Sequence, residues 1–398
     1  MNENENYDVV VVGGGAAGLS GAVALARSRR SVLVVDAGDP RNAPAGHVHN
    51  FLSRDGIPPS ELYAAGRAEV RRYGGRVETG RVTALARDGE RFGVQVGVQA
   101  GQRAVALARS RRSVLVVDAG DPRNAPAGHV HNFLSRDGTP PSELLAAGRA
   151  EVTGYGGRVE TGRVTALGRD GERFGVQIGA EAGPRTVAAR RLLVATGLRD
   201  VLPDVPGLAA RWGIDVLHCP YCHGWEVRDQ RIGILSTGPV AVHQALLFQQ
   251  LSPHVTLLRH TGPAPDAEQR ALLEALGVAV ADGEVEQVEA DAGGLTGVVL
   301  AGRGRLALDA VVVSPRLEAR AELLEPLGLK PVEVLLGDHP IGTRIEADRT
   351  GATAVPGVWA AGNLTDPQAQ VVSAAAAGLM AGATINFDLV LEQARSRG

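Results

Sequence analysis

The chain has 398 residues, which is long enough for two domains that each bury a hydrophobic core. Hydrophobic residues make up 44% and charged residues 21%, and the formal net charge of -3 leaves no basic surplus, so we expect neither nucleic acid nor a membrane as partner. Two cysteines cannot form a stabilising disulfide framework, which fits a reducing environment. We therefore predict a soluble cytoplasmic protein.

The first predicted element is a β-branched strand at residues 7–12 that ends in a glycine-rich turn. An Ala- and Leu-rich helix and a second buried strand follow, and that strand ends at an acidic residue, which completes the context of a dinucleotide fingerprint. The helix N-terminus would face a pyrophosphate, and the acid would bind ribose hydroxyls. The motif assigns to the cofactor Gly13, Gly15, Ala16, Ala17, Gly18 and Asp36.

A long repeat follows, because residues 22–103 (copy one) recur as residues 104–185 (copy two) with few differences. Copy two begins inside the helix and lacks the first strand and the glycine turn, so we expect no second nucleotide site at Asp118. We interpret the repeat as a tandem duplication within one domain. The sequence predicts a single nucleotide-binding core that takes its first strands from copy one. Near the second junction the two copies could substitute for one another, which would leave one set of segments surplus.

Each copy also contains a predicted hairpin and a loop with two histidines. In copy one the hairpin strands are 81–85 and 91–96, and in copy two they are 163–167 and 173–178. The duplicated loop histidines either form hydrogen bonds within the loop or contact a cofactor or substrate. These residues are His47, His49, His129 and His131.

The two cysteines form a Cys-x-x-Cys pair, Cys219 and Cys222, directly between His218 and His223. Pro220 suits the first position of a helix with Cys219 as N-cap, and backbone amides there stabilise a thiolate. The pair is therefore predicted to be a redox dithiol. Zinc is the alternative, but no second cysteine pair exists to complete a tetrahedral site, so we predict no metal.

A second strand, turn and helix pattern lies at residues 231–251. Its turn keeps only one of the three fingerprint glycines, because Ser236 takes the first glycine position and Pro239 cannot donate a hydrogen bond to a phosphate. Arg259 and His260 could pair with a 2′-phosphate or simply face solvent. NADP(H) binding therefore stays open between a competent site and one that has been lost.

Small residues follow two other predicted buried strands and open the last helix. The helix at 370–385 is predicted either to direct its N-terminus at a cofactor or to be a tightly packed core helix. The candidate residues in these segments are Ala195, Thr196, Gly197, Gly362, Asn363, Gln370 and Val371.

Taken together, these motifs resemble the thioredoxin reductase-like flavoproteins of the pyridine nucleotide-disulfide oxidoreductase superfamily, over nearly the whole chain apart from the duplication. The resemblance implies an α/β protein with two Rossmann-like (FAD/NAD(P)-binding) three-layer domains, the second inserted in the first, and an antiparallel β-meander. The implied boundaries are 1–200 and 327–398 for the FAD-binding domain and 201–326 for the domain with the dithiol. FAD as cofactor and a homodimer are also implied.

The sequence departs from that family at two positions. His223 stands where an acid/base Asp usually follows the second cysteine, and Asn363 replaces the Asp of an Ala-Gly-Asp motif. The stretch from Cys219 to Glu226 is more similar to the dithiol oxidases that close gliotoxin and holomycin disulfides, which pass electrons from flavin to oxygen without NADPH.

The resemblance implies that Cys222 lies against the flavin, that Cys219 exchanges with the substrate sulfur, and that His223 moves the proton. The substrate is expected to be a small dithiol or disulfide, or a thioredoxin-like protein. An NADPH-dependent thioredoxin reductase is the alternative function. A non-catalytic flavin-binding redox module damaged by the duplication is a further one.

Overall fold

A computed structural model describes residues 8–12, 15–36, 47–48, 51–79, 87–88, 91–92, 104–171, 173–179 and 184–397. The predictions made for Gly13 and His49 lie outside these ranges, as does most of the copy-one hairpin.

Copy one forms a parallel sheet flanked by two helices. Its elements, with the strand before it, are β1 (Val9–Val12), α1 (Ala16–Arg27), β2 (Val32–Asp36), α2 (Pro59–Arg72), β3 (Arg76–Thr79) and the short pair β4 (Arg87–Asp88) and β5 (Arg91–Phe92). The sheet order is β1-β2-β3, all parallel. Leu19 and Ala22 of α1 and Val34 of β2 are fully buried. The predicted order of strand, helix and strand around the fingerprint is therefore present.

Copy two repeats this pattern without the first strand and continues into a meander. Its elements and the strand that follows are α3 (Ala104–Arg109), β6 (Leu115–Asp118), α4 (Pro141–Gly154), β7 (Arg158–Thr161), β8 (Arg163–Asp170), β9 (Arg173–Gly179) and β10 (Arg185–Ala189). β6 and β7 pair in parallel, whereas β8, β9 and β10 pair antiparallel. The copy-two hairpin predicted at 163–167 and 173–178 is thus observed.

A second parallel sheet is built from the middle of the chain. The elements there are β11 (Leu192–Val194), β12 (Leu198–Val201), β13 (Val216–Leu217), α5 (Pro220–His223), β14 (Ile232–Leu235), α6 (Val240–Gln249), β15 (Val255–Leu258), α7 (Ala267–Ala275), β16 (Ala279–Ala281), β17 (Val285–Asp291), β18 (Gly294–Leu300), β19 (Gly304–Ala307) and β20 (Ala310–Val312). The parallel sheet has the order β13-β20-β14-β15-β16, and β17-β18-β19 is a separate antiparallel sheet. Every residue of β14 is buried, as expected for a central strand covered on both faces.

The last elements bring the chain back to its first half. They are β21 (Arg316–Ala319), β22 (Val332–Leu336), β23 (His339–Arg344), β24 (Val358–Ala360) and α8 (Val371–Arg395). β24 pairs in parallel with β11, although the five-stranded sheet lies between these two strands in sequence. The second α/β unit is therefore inserted into the first, as the resemblance implied.

The packing of the two copies differs from the prediction of a single nucleotide-binding core. In the part of the chain that the structure describes, the copy-one sheet forms no ladder with β11 or β24. Instead Leu107 of α3 shares a hydrophobic cluster with Ile385 of α8, and Leu115 of β6 shares another with Val194 of β11. Both copies carry the same apolar positions, so either can pack here, and copy two has the shorter connection to β11.

Helix α8 combines a long apolar sequence with partial burial. It is the one helix among the described residues that is long and apolar enough to cross a membrane, a property that core helices of soluble proteins share. Ala375, Ala381 and Ile385 are buried against the rest of the protein. This packing fits the interpretation of the predicted helix at 370–385 as a core helix. The absence of a membrane partner stays a prediction.

Candidate dithiol site

The two cysteines lie on the single turn of helix α5. Cys219 is its N-cap and Pro220 its first residue, as the sequence predicts. Both cysteines are free thiols, and Cys222 Sγ donates to Cys219 Sγ across 2.8 Å. Closing a disulfide would shorten this distance by less than about 1 Å, because the bonded sulfurs lie about 2.05 Å apart.

The two sulfurs differ in acidity. The hydrogen bond from Cys222, with help from the backbone amides of Cys222 and Tyr221, lowers the pKa of Cys219 in spite of its burial. The same hydrogen bond and burial raise the pKa of Cys222 well above its usual value. Cys219 therefore loses its proton first and is the thiolate of the reduced pair.

The two flanking histidines are neutral near pH 7. Burial lowers the pKa of His223, although the charge of Glu226 opposes this effect. Burial also lowers the pKa of His218 to about 4, with a further contribution from the charge of Arg123. The Nε2 atom of His223 is buried and has no hydrogen-bond partner among the described residues. A neutral imidazole with an unpartnered nitrogen can accept a proton or bind a polar ligand atom.

Two arginines place positive charge next to the thiols. Arg27, at the end of α1, is almost fully buried, and its Nη2 donates to Glu226 at 3.0 Å and to the carbonyl oxygen of Cys222 at 3.5 Å. Arg123, from copy two, makes two hydrogen bonds of 2.7 and 2.6 Å with Asp200. Both guanidinium charges lower the pKa of Cys222, and Arg123 does the same for Cys219.

Residues of both copies surround the dithiol, and only His131 among them was singled out from the sequence. The carboxylate of Asp137 accepts a 2.5 Å hydrogen bond from the Tyr73 hydroxyl. His131 Nδ1 lies 3.4 Å from Asp137, and its Nε2 lies 3.3 Å from Glu226. Asn132 Nδ2 donates to the carbonyl oxygen of Tyr221 at 2.7 Å. The duplicated histidine was the only sequence signal for this group, and its contact is with the dithiol surroundings.

The acidity of Asp137 fits its position in this cluster. Burial raises the pKa of Asp137, but hydrogen bonds from His131 and Tyr73, together with the charge of Arg27, bring it below the usual value. The carboxylate is therefore charged near neutral pH. Across the described residues, no group of three or more His, Cys, Asp or Glu side chains is placed to hold a metal ion.

The fingerprint helix fits the phosphates of a dinucleotide. Gly15 is the N-cap of α1 in an extended conformation, and no side chain caps the helix there. The first-turn amides, which include those of Ala17 and Gly18, have no carbonyl acceptor within the helix and can donate to an anion. Asp36 ends β2, and its Oδ2 accepts from Arg67 Nη1 at 3.0 Å.

The two small-residue turns lie side by side. They follow the paired strands β11 and β24, and the Ala361 amide donates to the Val194 carbonyl oxygen at 3.1 Å. Gly197 and Gly362 have φ angles of +71° and +76°, a conformation that favours glycine. The Thr196 hydroxyl donates to the Arg320 carbonyl oxygen at 2.7 Å. These residues thus form one edge, as expected for the carboxyl ends of parallel strands.

Asn363 organises the turn that leads into α8. Its Nδ2 donates to the carbonyl oxygens of Asp366, Pro367 and Ala369 at 3.2, 3.2 and 2.8 Å. Gln370 is the N-cap of α8 and Val371 its first residue. A carboxylate at position 363 could not donate these bonds, so the replacement of Asp by Asn has a structural role that the sequence did not reveal.

In the second nucleotide-like turn, which follows β14 at Ser236, neighbouring residues of the chain occupy the space and the hydrogen-bonding groups. The Gly262 amide donates to the Ser236 carbonyl oxygen at 2.8 Å, and a Cβ atom at position 262 would lie 2.1 Å from Ser236 Oγ. Arg259 pairs with Asp282 at 3.1 Å, and His260 Nδ1 accepts from the Val285 amide at 3.0 Å. The two side chains considered for a 2′-phosphate therefore both have partners within the chain.

A cavity of about 740 Å³ lies at the carboxyl ends of β14 and β15. Three carboxylates line it, from Asp204, Glu284 and Glu286, together with Arg316. Arg316 is itself paired with Glu333 at 2.6 Å. The charges of this cavity therefore disfavour a phosphorylated ligand.

An α/β fold with a glycine-capped fingerprint helix and a dithiol on a short helix defines the class of flavin-linked dithiol/disulfide oxidoreductases. The model of the family described as pyridine nucleotide-disulphide oxidoreductase matches residues 7–378. The chain belongs to this family, whose thioredoxin reductase-like members use FAD and act on sulfur groups. The predicted fold class, cofactor and enzyme class are therefore confirmed.

Two known proteins with similar sequences are named thioredoxin reductases. Thioredoxin reductase sirT from Leptosphaeria maculans is 30% identical over 303 residues, which are 71% of this chain and 89% of that protein. Thioredoxin reductase tcpT from Claviceps purpurea is 36% identical over 163 residues, which are 39% of this chain and only 50% of that protein.

Two solved structures are similar over nearly the whole chain. HlmI is 37% identical with a TM-score of 0.51, and the comparison covers 100% of this chain and 96% of that one. An oxidoreductase from Agrobacterium tumefaciens is 29% identical with a TM-score of 0.54, and 97% and 99% are covered. Both similarities support the α/β fold.

Proposed function

We propose that this chain is an FAD-dependent dithiol oxidase, in which the Cys219–Cys222 pair accepts electrons from a substrate thiol pair and oxygen is the final acceptor. The observation that carries the proposal is the pair itself, with sulfurs 2.8 Å apart and opposite pKa shifts. His223 is the proposed proton acceptor. The proposed cofactor residues are those predicted from the sequence, namely Gly13, Gly15, Ala16, Ala17, Gly18, Asp36, Ala195, Thr196, Gly197, Gly362, Asn363, Gln370 and Val371.

The chemistry begins with the oxidised pair. One substrate thiol gives its proton to the neutral imidazole of His223, and its sulfur attacks Cys219. The Cys219–Cys222 bond breaks, and the Cys222 sulfur takes up a proton, because its pKa is raised.

The second substrate thiol then attacks the substrate sulfur of the mixed disulfide. Cys219 is the leaving group, and its lowered pKa favours this departure. The substrate leaves as a disulfide after giving two electrons to the pair. Of its two thiol protons, one ends on the Cys222 sulfur and the other is released to solvent, because Cys219 leaves as a thiolate. Bound FAD supplies the two-electron chemistry that restores the disulfide.

The second nucleotide-like site favours oxygen over NADPH as the electron partner. Ser236 and Pro239 remove two features of a phosphate-binding turn, and Arg259 already pairs with Asp282. A 2′-phosphate would therefore have to compete with an existing ion pair. An NADPH-dependent thioredoxin reductase remains the second candidate, since the cavity at the ends of β14 and β15 lies where dinucleotides bind in such sheets.

Two measurements on the purified chain separate the candidates. We expect peroxide to form from dithiothreitol and oxygen, and we expect Cys222→Ser to lower this rate about 100-fold or more. We also expect no flavin bleaching when NADPH is added anaerobically. Bleaching by NADPH with turnover of a thioredoxin would instead identify the reductase. A flavin-containing chain inactive in both assays would identify the non-catalytic module.

The other predictions also enter the proposal. We propose a small dithiol or a thioredoxin-like protein as substrate, a cytoplasmic location, and no metal, nucleic acid or membrane partner. We also propose an FAD-binding domain at 1–200 and 327–398 and a dithiol-containing domain at 201–326. A homodimer is also proposed, and the particle mass from light scattering, against 41.3 kDa for one chain, tests it.

A further inference from the structure

The two copies contact each other through reciprocal pairs of hydrogen bonds. One glutamate from each copy accepts two backbone N–H bonds from the other copy, and every residue in one set is 82 positions from its counterpart in the other. The bonds are Ser135 and Asp137 to Glu69 (2.8 and 3.1 Å), and Ser53 and Asp55 to Glu151 (3.0 and 3.1 Å).

One arginine from each copy completes the same exchange. Arg54 Nε donates to the Ser135 hydroxyl at 2.9 Å, and its Nη2 donates to the Ser135 carbonyl oxygen at 2.6 Å. Arg136 Nε donates to the Ser53 hydroxyl at 2.7 Å, and its Nη2 donates to the Ser53 carbonyl oxygen. The partners of each arginine are again related by the shift of 82 residues.

The apolar contacts are reciprocal as well. The rings of Phe51 and Phe133, which are counterparts, meet edge to face with centroids 5.7 Å apart. A Cβ atom at Gly66 would lie 2.4 Å from a methyl group of Leu134, and one at Gly148 would lie 2.5 Å from a methyl group of Leu52. Contacts in which i meets j and the counterpart of j meets the counterpart of i define an isologous, two-fold interface.

We infer that copy two acts as an internal partner for copy one: the two copies form a two-fold pair within a single chain, and copy two completes the surroundings of the dithiol. The surface of each copy is self-complementary, so a second copy of the same segment is the partner that fits it. Pairing removes water from Glu69 and Glu151, and the backbone amides of the opposite copy replace the lost hydrogen bonds.

The two-fold pair creates two equivalent clusters, but only one of them meets the cysteines. In the first, Tyr73 donates to Asp137 at 2.5 Å, and Arg27 lies 3.8 Å from the same carboxylate. The second consists of the counterparts Tyr155, Asp55 and Arg109, with distances of 2.5 and 3.5 Å. Both cysteines of the chain belong to the α5 helix, which Arg27 contacts through Cys222 and Glu226. The second cluster is thus a built-in control for the first.

The pairing is tested by amide hydrogen exchange of the full-length chain. We expect Glu69→Ala to accelerate exchange at Ser135 and Asp137, and Glu151→Ala to accelerate exchange at Ser53 and Asp55, each by about tenfold or more. Peptides that extend to Ile57 or to Thr139 distinguish the two copies, because these residues differ. We expect this protection to be independent of protein concentration, whether or not two chains associate through another surface. Protection that is lost on dilution, or variants that accelerate exchange in their own copy alone, would overturn the inference.

The contribution to the dithiol is tested with Asp137→Asn against Asp55→Asn. The two carboxylates are almost equally buried, with exposures of 0% and 3%, so their structural costs should be similar. Loss of the Asp137 charge leaves the positive charge of Arg27 less neutralised beside Cys222. Because Cys222 donates a hydrogen bond to Cys219, this charge stabilises the thiolate form of the cysteine pair. We expect iodoacetamide to alkylate the reduced Asp137→Asn dithiol about threefold faster at pH 7, and Asp55→Asn to react like the unchanged chain. Equal rates in the two variants would refute this contribution. The assay needs neither FAD nor turnover, so it can fail while the proposed oxidase activity stands, or succeed while that activity is absent.

Discussion

At the scale of single residues, the position after the second cysteine distinguishes this site. A carboxylate there would be charged at neutral pH and would repel a neighbouring thiolate. His223 is instead neutral, because burial lowers its pKa, and its Nε2 has no partner within the described residues. The site can therefore take a proton from a substrate thiol without placing a second negative charge beside Cys219.

This difference predicts the effect of His223→Gln. We expect the peroxide-forming rate with dithiothreitol to fall about 100-fold, because a glutamine keeps a hydrogen-bonding group but cannot accept the proton. In the unchanged chain, protonation of His223 should reduce the rate only at pH values below 6.5, and that acid limb should disappear in the variant. Stopped-flow rates across pH 5 to 8 check this. His218→Gln serves as the control, and an equal loss in both variants would argue against a special role for His223.

The sequence identified the reacting atoms better than the residues around them. Cys219, Pro220 and Cys222 lie together in sequence, so local spacing was enough to predict an N-capped dithiol helix. Arg27 and Asp137 reach the same site from positions 195 and 85 residues away from Cys222, and nothing local in the sequence marks them. Their role depends on how the copies pack, which spacing does not determine.

At the scale of elements, the turn before α8 shows how an apparent loss of function can be a structural adaptation. Asn363 was expected to retain hydrogen bonding to a cofactor without the charge of an Asp. The structure uses its amide donor on three carbonyl oxygens that position the start of α8. The sequence predicted the turn and the start of the helix, but α8 continues to Arg395 and not to 385 as predicted. It also could not show the direction of these bonds.

We expect Asn363→Asp to destabilise the protein even though it restores the family motif. A carboxylate would place negative charge against three carbonyl oxygens and could donate no hydrogen bond, at a cost of about 1–3 kcal/mol. The free energy of unfolding in urea measures this. Asn386→Asp, on α8 itself, is the control, because Asn386 accepts a 2.6 Å bond from Arg112 and a carboxylate can do the same. A stable Asn363→Asp variant would contradict the structural role.

The glutamates on α2 and α4 that accept hydrogen bonds from the opposite copy predict a pH dependence of stability. Burial raises the pKa of Glu69 to about 7, helped by the charge of Asp137 and opposed by the amides of Ser135 and Asp137 and by Arg54. Burial also raises the pKa of Glu151. The folded protein therefore binds these protons more tightly than the unfolded chain, so the free energy of unfolding should fall as pH rises from 4.5 to about 7.

Glu69→Gln should reduce this slope, because its side chain does not titrate. We expect the pH-dependent loss in the unchanged chain to be about 1–3 kcal/mol over this range, measured by urea denaturation at several pH values. Glu61→Gln, on the exposed side of the same helix, should leave the slope unchanged. A slope that is the same in all three proteins would show that Glu69 does not titrate in this range.

At the scale of the whole molecule, the sequence predicted both α/β units, the insertion and the meander, but not the arrangement of the copies. Residues such as Leu25 and Leu107 occupy identical positions in the repeat, so sequence pattern cannot rank which copy packs against α8. The structure places Leu107 of copy two in that cluster, beside Ile385. Chain connectivity favours this choice, since copy two leads directly into β10 and β11.

The same reasoning predicts the behaviour of a chain with only one copy. Deleting residues 104–185 joins Arg103 to Thr186 and keeps the register of the repeat, because Arg185 is the counterpart of Arg103. The self-complementary surface around Glu69 would then have no internal partner, and the Glu69 carboxylate should accept the Ser53 and Asp55 amides of a second chain. We expect particles of two chains by light scattering.

In that shortened chain, Glu69→Ala should weaken dimerisation about tenfold or more, because it removes two charge-assisted hydrogen bonds from each half of the interface. The same substitution in the full-length chain should leave the particle mass unchanged, since the contact lies within one molecule. Sedimentation over a range of concentrations measures both, and circular dichroism verifies that the shortened chain is folded. A folded single-copy chain that stays monomeric would show that the contact is stable only when the two copies are covalently joined.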